Sequence, residues 1–149
     1  MISVDCMGLA FLTQPLLPQW LQKNIWHIIN VPFTASDQPY KGDSVCAVSK
    51  NFVQQLSLNT RADPLNTAVR VSHIDSGRVT DSEFSLVSFN GDLYKTHAVY
   101  DDIEALTSAA ITKIVLWVLI QSAHVNINNI GLLSINQALQ RTVSHTNSS

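Results

Sequence analysis

The stretch 84–100, FSLVSFNGDLYKTHAVY, decides how the fold is read from sequence. At its centre is Asn90-Gly91, a pair that permits the positive φ values of a two-residue hairpin turn, flanked by Phe84 to Phe89 and Asp92 to Tyr100. The pattern predicts a β-hairpin. With a two-residue turn, Lys95 and His97 share one face of its second strand, opposite Leu86 and Phe84.

Working upstream, Ala68 to Ile74 reads as a strand with β-branched content, entered from a turn at Asp63-Pro64 and left by a loop at Asp75-Ser76-Gly77-Arg78. Arg70 stands between Val69 and Val71, so alternation turns it to the opposite face. Asp43 is a candidate N-cap, and Val45, Val48, Phe52 and Leu56 follow at the spacing of one face of an amphipathic helix. Asn24 to Phe33 predicts a strand stopped by Pro32. Ile2 to Ala10 predicts another, with Ile2, Val4 and Cys6 alternating against Ser3 and Asp5. Between them, Phe11 to Leu21 is rich in Leu and aromatic residues, but Pro15 and Pro18 remove backbone donors and argue against a regular element.

Downstream of the hairpin, a second helix is expected from Asp101 or Asp102 to about Ala123. It is apolar around most of its circumference near Trp117 and so suited to burial on more than one side. Asn128, Asn129 and Gly131 form a turn signal, and Ile130 to Ile135 predicts a last strand beside that helix. Beyond Gln137 the chain is Ser, Thr, Asn and Gln, too polar to offset the entropy of ordering. The expectation is one domain over 1–136 with a frayed tail over 137–149, of α+β class and mainly β.

Only 13% of the 149 residues are Asp, Glu, Lys or Arg, about half the usual share for a soluble domain, and 46% are apolar. A weakly charged exterior repels its neighbours little, which favours association. The net charge of −2 gives no global attraction to phosphate. The longest uninterrupted apolar run, Ile114 to Ile120, is seven residues, far short of the about 20 needed to span a bilayer. With no basic region around Met1 and with Ile2 in second place, neither a signal peptide nor N-myristoylation is expected. Cys6 and Cys46 form neither a CxxC nor a disulfide framework, which suits a reducing compartment.

Candidate chemistry is sparse. Histidines 27, 73, 97, 124 and 145 include no i, i+4 pair on a helix, so no metal is expected. No GxSxG elbow occurs, and Cys46 reads as a buried structural cysteine on the first helix. Asp101, Asp102 and Glu104 sit where negative charge would offset a helix dipole. The five glycines make no GxGxxG, so no nucleotide loop and no cofactor are expected. Arg70 is a candidate phosphate contact for RNA, since a guanidinium forks onto phosphate oxygens, with Lys95 and His97 extending the patch. Phe11, Leu12, Leu16, Leu17, Trp20 and Lys23 form either a flap over an open sheet face or an exposed patch for self-association or a membrane interface.

The order of elements resembles that of small matrix proteins of negative-strand RNA viruses, most nearly bornavirus matrix proteins and the N-terminal domain of the filovirus matrix protein. The residues carrying the likeness are Asn30-Val31-Pro32-Phe33, Asp43-Ser44 opening a helix that ends before Pro64, Ala68-Val69-Arg70-Val71, the hairpin at Asn90-Gly91, the late helix, and Asn129-Ile130-Gly131-Leu132. The resemblance implies a two-sheet β-sandwich with peripheral helices and a non-enzymatic role. Such a protein would self-associate beneath a viral envelope in the virion, at the inner face of the host membrane or in host cytoplasm, and bridge membrane to nucleocapsid. Its partners would be copies of itself, inner-leaflet lipid, and viral nucleoprotein or single-stranded RNA. The PPxY and PTAP motifs of some such proteins are absent here. Two alternatives stand beside this reading: an RNA-binding module using the strand face around Arg70, and a small ligand-binding domain or enzyme whose site is not recognisable from sequence.

Overall fold

The computed structural model describes residues 1–33, 44–101 and 103–137. Among these, three strands form one parallel sheet in the order β1 (His27–Asn30), β2 (Arg70–Ser76), β3 (Asn129–Leu132). His27 pairs with Arg70 and Asn30 with His73, while His73 and Ser76 pair on the other side with Asn129 and Leu132. Parallel neighbours need crossover connections, and helices supply them. This is an α/β sheet covered by helices, not the mainly β fold expected from the sequence nor the two-sheet β-sandwich that the viral resemblance implied.

Strand β2 explains why. Every residue from Val71 to Ser76 is buried, the continuous burial of a parallel strand covered on both faces. On one face lie Val71, His73 and Asp75 with Asn30 of β1, whose Nδ2 donates to Ser57 Oγ of helix α2 (Ser44–Ala62) at 2.7 Å. On the other lies Arg70, whose guanidinium donates to Leu119 O and Gln121 O at the end of helix α5 (Ser108–Leu119). Ile74 and Val118 are fully buried at 0% exposure.

Helix α2 forms where the sequence places it, but it turns a different face inward. Cys46, Ser49, Val53, Ser57 and Thr60 are buried, whereas Val45 (57%), Val48 (62%) and Phe52 (38%) are exposed. Small side chains let the helix approach the sheet closely, and their hydroxyls are met locally: Ser49 Oγ donates to Cys46 O and Ser57 Oγ to Val53 O. The candidate N-cap Asp43 lies outside the described residues, as do Asp102 and residues 138–149 of the expected tail. Gln137 itself belongs to the fold, because its Oε1 accepts from Arg78 N at 3.0 Å. Gly77 leaves room for this contact, since a Cβ there would meet Gln137 Oε1 at 2.5 Å.

Four local expectations are corrected. Ile2 to Ala10 is not a strand; Ile2–Gly8 is a π-helical segment running into helix α1 (Leu9–Lys23), and Cys6 packs from it against Ser49 O of α2 at 4.0 Å. A five-residue alternation is too short to separate strand from helix. Pro15 and Pro18 sit inside α1, which continues through them and ends at Asn24 in the left-handed region.

The hairpin is absent as well. Phe84–Ser88 and Leu93–Ala98 are short helices, α3 and α4. Asn90 and Gly91 do adopt positive φ, at 53° and 85°. Here that geometry closes α3: Gly91 N donates to Leu86 O and Asn90 N to Val87 O, the paired bonds of a Schellman motif. Asp92 then caps α4 by accepting from Lys95 N. Finally, α5 begins at Ser108 rather than near Asp101; Thr107 Oγ1 caps it, and Asp81 accepts from both Ser108 N and Ser108 Oγ. These bonds hold the Asp81 carboxyl below its ordinary range.

Because Ile74 is fully enclosed, Ile74→Ala should leave a cavity and lower unfolding free energy by about 2–5 kcal/mol in urea denaturation, with the slope unchanged.

A candidate active-site cleft at the carboxyl end of the sheet

In open parallel sheets, ligands bind in the crevice outside the carboxyl ends of the strands. Beyond β1 the chain passes through Val31 and Pro32, and beside them opens a cleft of about 550 Å³. The π-helical segment and α1 form one wall with Asp5 and Leu12, α2 forms another with Lys50 and Val53, and Asn30 and Pro32 form the floor.

One ion pair dominates the cleft. Lys50 Nζ donates to Asp5 Oδ2 at 2.7 Å, with side chains only 15% and 23% exposed. Lys50 stands one helical turn after buried Cys46 and just before buried Val53, so it projects from the packed side of α2 rather than the solvent side. The third polar group is Asn30, anchored through Ser57 Oγ. Together they offer an ammonium donor, a carboxylate acceptor and an amide on helical and strand elements bordering an open cleft.

Behind Asn30 the sheet carries a second polar pair. His73 is its partner in register, and His73 Nε2 lies 2.9 Å from Asp75 Oδ1, both side chains 1% exposed. His27 sits at the opposite, amino end of β1. Its Nε2 is 2.8 Å from Ser72 Oγ. Burial, and secondarily the positive charge of Arg70, lower its pKa from 6.5 to about 4, so the ring is neutral at neutral pH.

The residues singled out from sequence fall elsewhere. Arg70 is in β2, bonded to carbonyls at the end of α5. Lys95 and His97 are on α4 rather than on a hairpin strand, with Lys95 Nζ 3.1 Å from Asp92 Oδ2, so the three share no strand face. Phe11, Leu12, Leu16, Leu17, Trp20 and Lys23 all lie on α1, where Phe11 and Leu12 are each 64% exposed. Leu12 reaches the cleft; Trp20 packs against Trp26 with ring centroids 6.1 Å apart, and Lys23 lies over the Trp26 ring.

Asp5, Asn30 and Lys50 were not recognised from sequence. A signal existed for Lys50: it shares the i, i+4, i+7 line of Cys46 and Val53, and a lysine in line with core positions is unusual. Asp5 and Asn30 carried none, because their partners are 45 and 27 residues away along the chain.

No family model matches the chain. It is 43% identical over 138 residues to the NADP-dependent 3-hydroxy acid dehydrogenase YdfG of Salmonella typhi, covering 93% of this chain and 56% of that protein. It is 33% identical over 139 residues to serine 3-dehydrogenase of Agrobacterium fabrum, with 93% and 55% covered. The fold superposes on a solved serine dehydrogenase complexed with NADP+ with a TM-score of 0.93 at 39% identity, covering 99% of this chain and 59% of that one. The chain thus spans a little over half the length of the relatives it matches.

These relatives are named as dehydrogenases, the Salmonella one as NADP-dependent, and the solved serine dehydrogenase holds NADP+; they overturn the viral resemblance. The expectation of a non-enzymatic matrix protein is corrected, since the relatives are enzymes. With it go the virion, host-cytoplasm and host-membrane placements, and the grounds for viral nucleoprotein, its RNA and inner-leaflet lipid as partners. Of the alternatives, an enzyme with an unrecognised site agrees best with the relatives.

Two outcomes follow from the electrostatics. Asp5→Ala leaves the Lys50 ammonium half-buried without its counter-ion, and should cost roughly 1–3 kcal/mol in chemical denaturation. Because His27 is harder to protonate folded than unfolded, its contribution to stability is complete above about pH 6.5 and lost as pH falls toward 4. Thermal melts across that window should fall in the native protein and flatten in His27→Gln.

Proposed function

We propose that this chain is the substrate-facing portion of an NADP-linked dehydrogenase acting on a small hydroxy acid, of the 3-hydroxy acid or serine class that its relatives' names carry. The observation that supports this most directly is the Asp5–Lys50 pair, set in a cleft at the carboxyl end of a parallel sheet whose backbone matches an NADP+-bound serine dehydrogenase. A hydroxy acid offers a carboxylate and a hydroxyl. The Lys50 ammonium and the Asn30 amide can donate to such oxygens, and the Asp5 carboxylate can accept from a hydroxyl or, for serine, from the ammonium. Leu12, Pro32 and Val53 supply apolar surface beside these polar groups.

The same donor set does not fit the nucleotide. A dinucleotide's pyrophosphate needs backbone N–H groups from a glycine-rich turn, or unneutralised cations. Lys50 is the one cation lining the cleft among the described residues, and Asp5 neutralises it at 2.7 Å. The sequence's glycines, at 8, 42, 77, 91 and 131, are too dispersed for a phosphate loop. The residues of this chain therefore act on the substrate: they bind it, orient its hydroxyl and shield it from water.

Titration of the chain with L-serine and with a 3-hydroxy acid should shift the amide resonances of Asp5, Asn30 and Lys50 together, and Lys50→Met should weaken binding at least about 10-fold. Shifts scattered away from these residues, or binding indifferent to Lys50, would remove the proposal.

A further inference from the structure

Lys50 is the one cation and Asp5 the one anion lining the cleft among the described residues, so the crevice is electrically neutral before any ligand enters. Their side chains are 15% and 23% exposed, and water screens charges so placed only in part. A ligand that brings one uncompensated charge therefore meets a penalty, whichever sign it carries.

The two singly charged cases fail for different reasons. The carboxylate of a plain 3-hydroxy acid reaches Lys50 Nζ only beside Asp5, whose Oδ2 already accepts from that ammonium at 2.7 Å. Two carboxylates then share one cation and repel each other. An amino alcohol sets a second ammonium beside Lys50, with the same result. An α-amino acid avoids both. Its ammonium and carboxylate sit on one carbon, separated by the N–Cα and Cα–C bonds alone, so its two charges lie about as close together as those of the resident pair. Laid antiparallel to that pair, its carboxylate faces the Lys50 ammonium and its ammonium faces the Asp5 carboxylate. Charges then alternate around the four groups, and each has neighbours of opposite sign. The resident contact need not open, because an ammonium has three N–H donors and a carboxylate two acceptor oxygens, and the pair uses one of each. Asn30, oriented by the bond from its Nδ2 to Ser57 Oγ, remains for a side-chain hydroxyl.

We infer that the cleft selects a zwitterionic β-hydroxy-α-amino acid over a hydroxy acid without an ammonium, and that Asp5 is the residue that sets this selection. Lys50 by itself would favour any small carboxylate; Asp5 turns that preference into a demand for a compensating positive charge. The inference rests on the proposed hydroxy-acid reading of the cleft and narrows it to one charge class.

The test compares three ligands that share a hydroxyl on a short chain: L-serine, 3-hydroxypropanoate, which lacks the ammonium, and ethanolamine, which lacks the carboxylate. Each is titrated at neutral pH into the 149-residue chain and followed through the amide resonances of Asp5, Asn30 and Lys50. L-serine should bind at least about 10-fold more tightly than either of the others. L-alanine, which keeps both charges, should compete with it. Asp5→Asn preserves the shape of the side chain and removes its charge, so it should weaken L-serine to the level of 3-hydroxypropanoate and tighten 3-hydroxypropanoate itself. The comparison in the native chain decides the matter even where that variant fails to fold. Binding of 3-hydroxypropanoate or ethanolamine as tight as that of L-serine would overturn the inference and leave the hydroxy-acid reading standing, as would a preference for L-serine that survives Asp5→Asn. Cleft resonances indifferent to all three ligands would overturn the inference and the hydroxy-acid reading together.

Discussion

The rest of the structure depends on the double coverage of β2. It is paired along both edges, by β1 and by β3, and packed on both faces, so Val71 through Ser76 are withdrawn from water. That enclosure accounts for the buried polar groups on the strand. His73 and Asp75 point to one face and bond to each other at 2.9 Å, which lowers the penalty of burying either alone. Asn126 Oδ1 accepts from Val71 N and its Nδ2 donates to Val71 O, extending the backbone pairing beyond the end of β3.

The cleft follows from the same geometry. Parallel strands all end on one side, and the chain must leave the sheet there, at Pro32 after β1 and Gly77 after β2. Helix α2 starts on that side, so its early turns, with Lys50 and Val53, border the opening. Close approach of α2 to the sheet, made possible by Ser49 and Ser57, brings Lys50 within 2.7 Å of Asp5 on the π-helical segment. The pairing makes the cleft bipolar rather than cationic. A bipolar site suits a small ligand carrying its own donors and acceptors better than a polyphosphate, which needs a surplus of positive charge.

Low overall charge takes on a different meaning in this light. The apolar residues of α2 that sequence periodicity assigned to the core, Val45, Val48 and Phe52, lie on its outer side, while small polar residues face the sheet. An α/β layer packed this tightly puts serine and threonine inside, because size rather than polarity limits what fits. Hydrophobic periodicity identifies a helix correctly and can still assign its faces wrongly.

By itself the sequence located α2, β1, β2 and β3 but not the strand ends, with Asp75 and Ser76 read as loop lying in β2, because a long 3.6-residue repeat and short β-branched runs bounded by Pro, Gly and Asn are local signals. It also determined that Asn90 and Gly91 adopt positive φ, since that follows from their own side chains. What the turn joins was decided by tertiary structure. The same left-handed pair closes a hairpin or caps a helix, and the choice belongs to what the flanking residues pack against: Phe84 stacks on Phe33 with ring centroids 5.8 Å apart, and Tyr100 Oη donates to Val79 O. Parallel rather than antiparallel pairing, and the meeting of Asp5, Asn30 and Lys50, were likewise settled only in three dimensions. These are contacts between residues tens of positions apart, and no local pattern of side chains encodes which distant partner a strand or a charge will find.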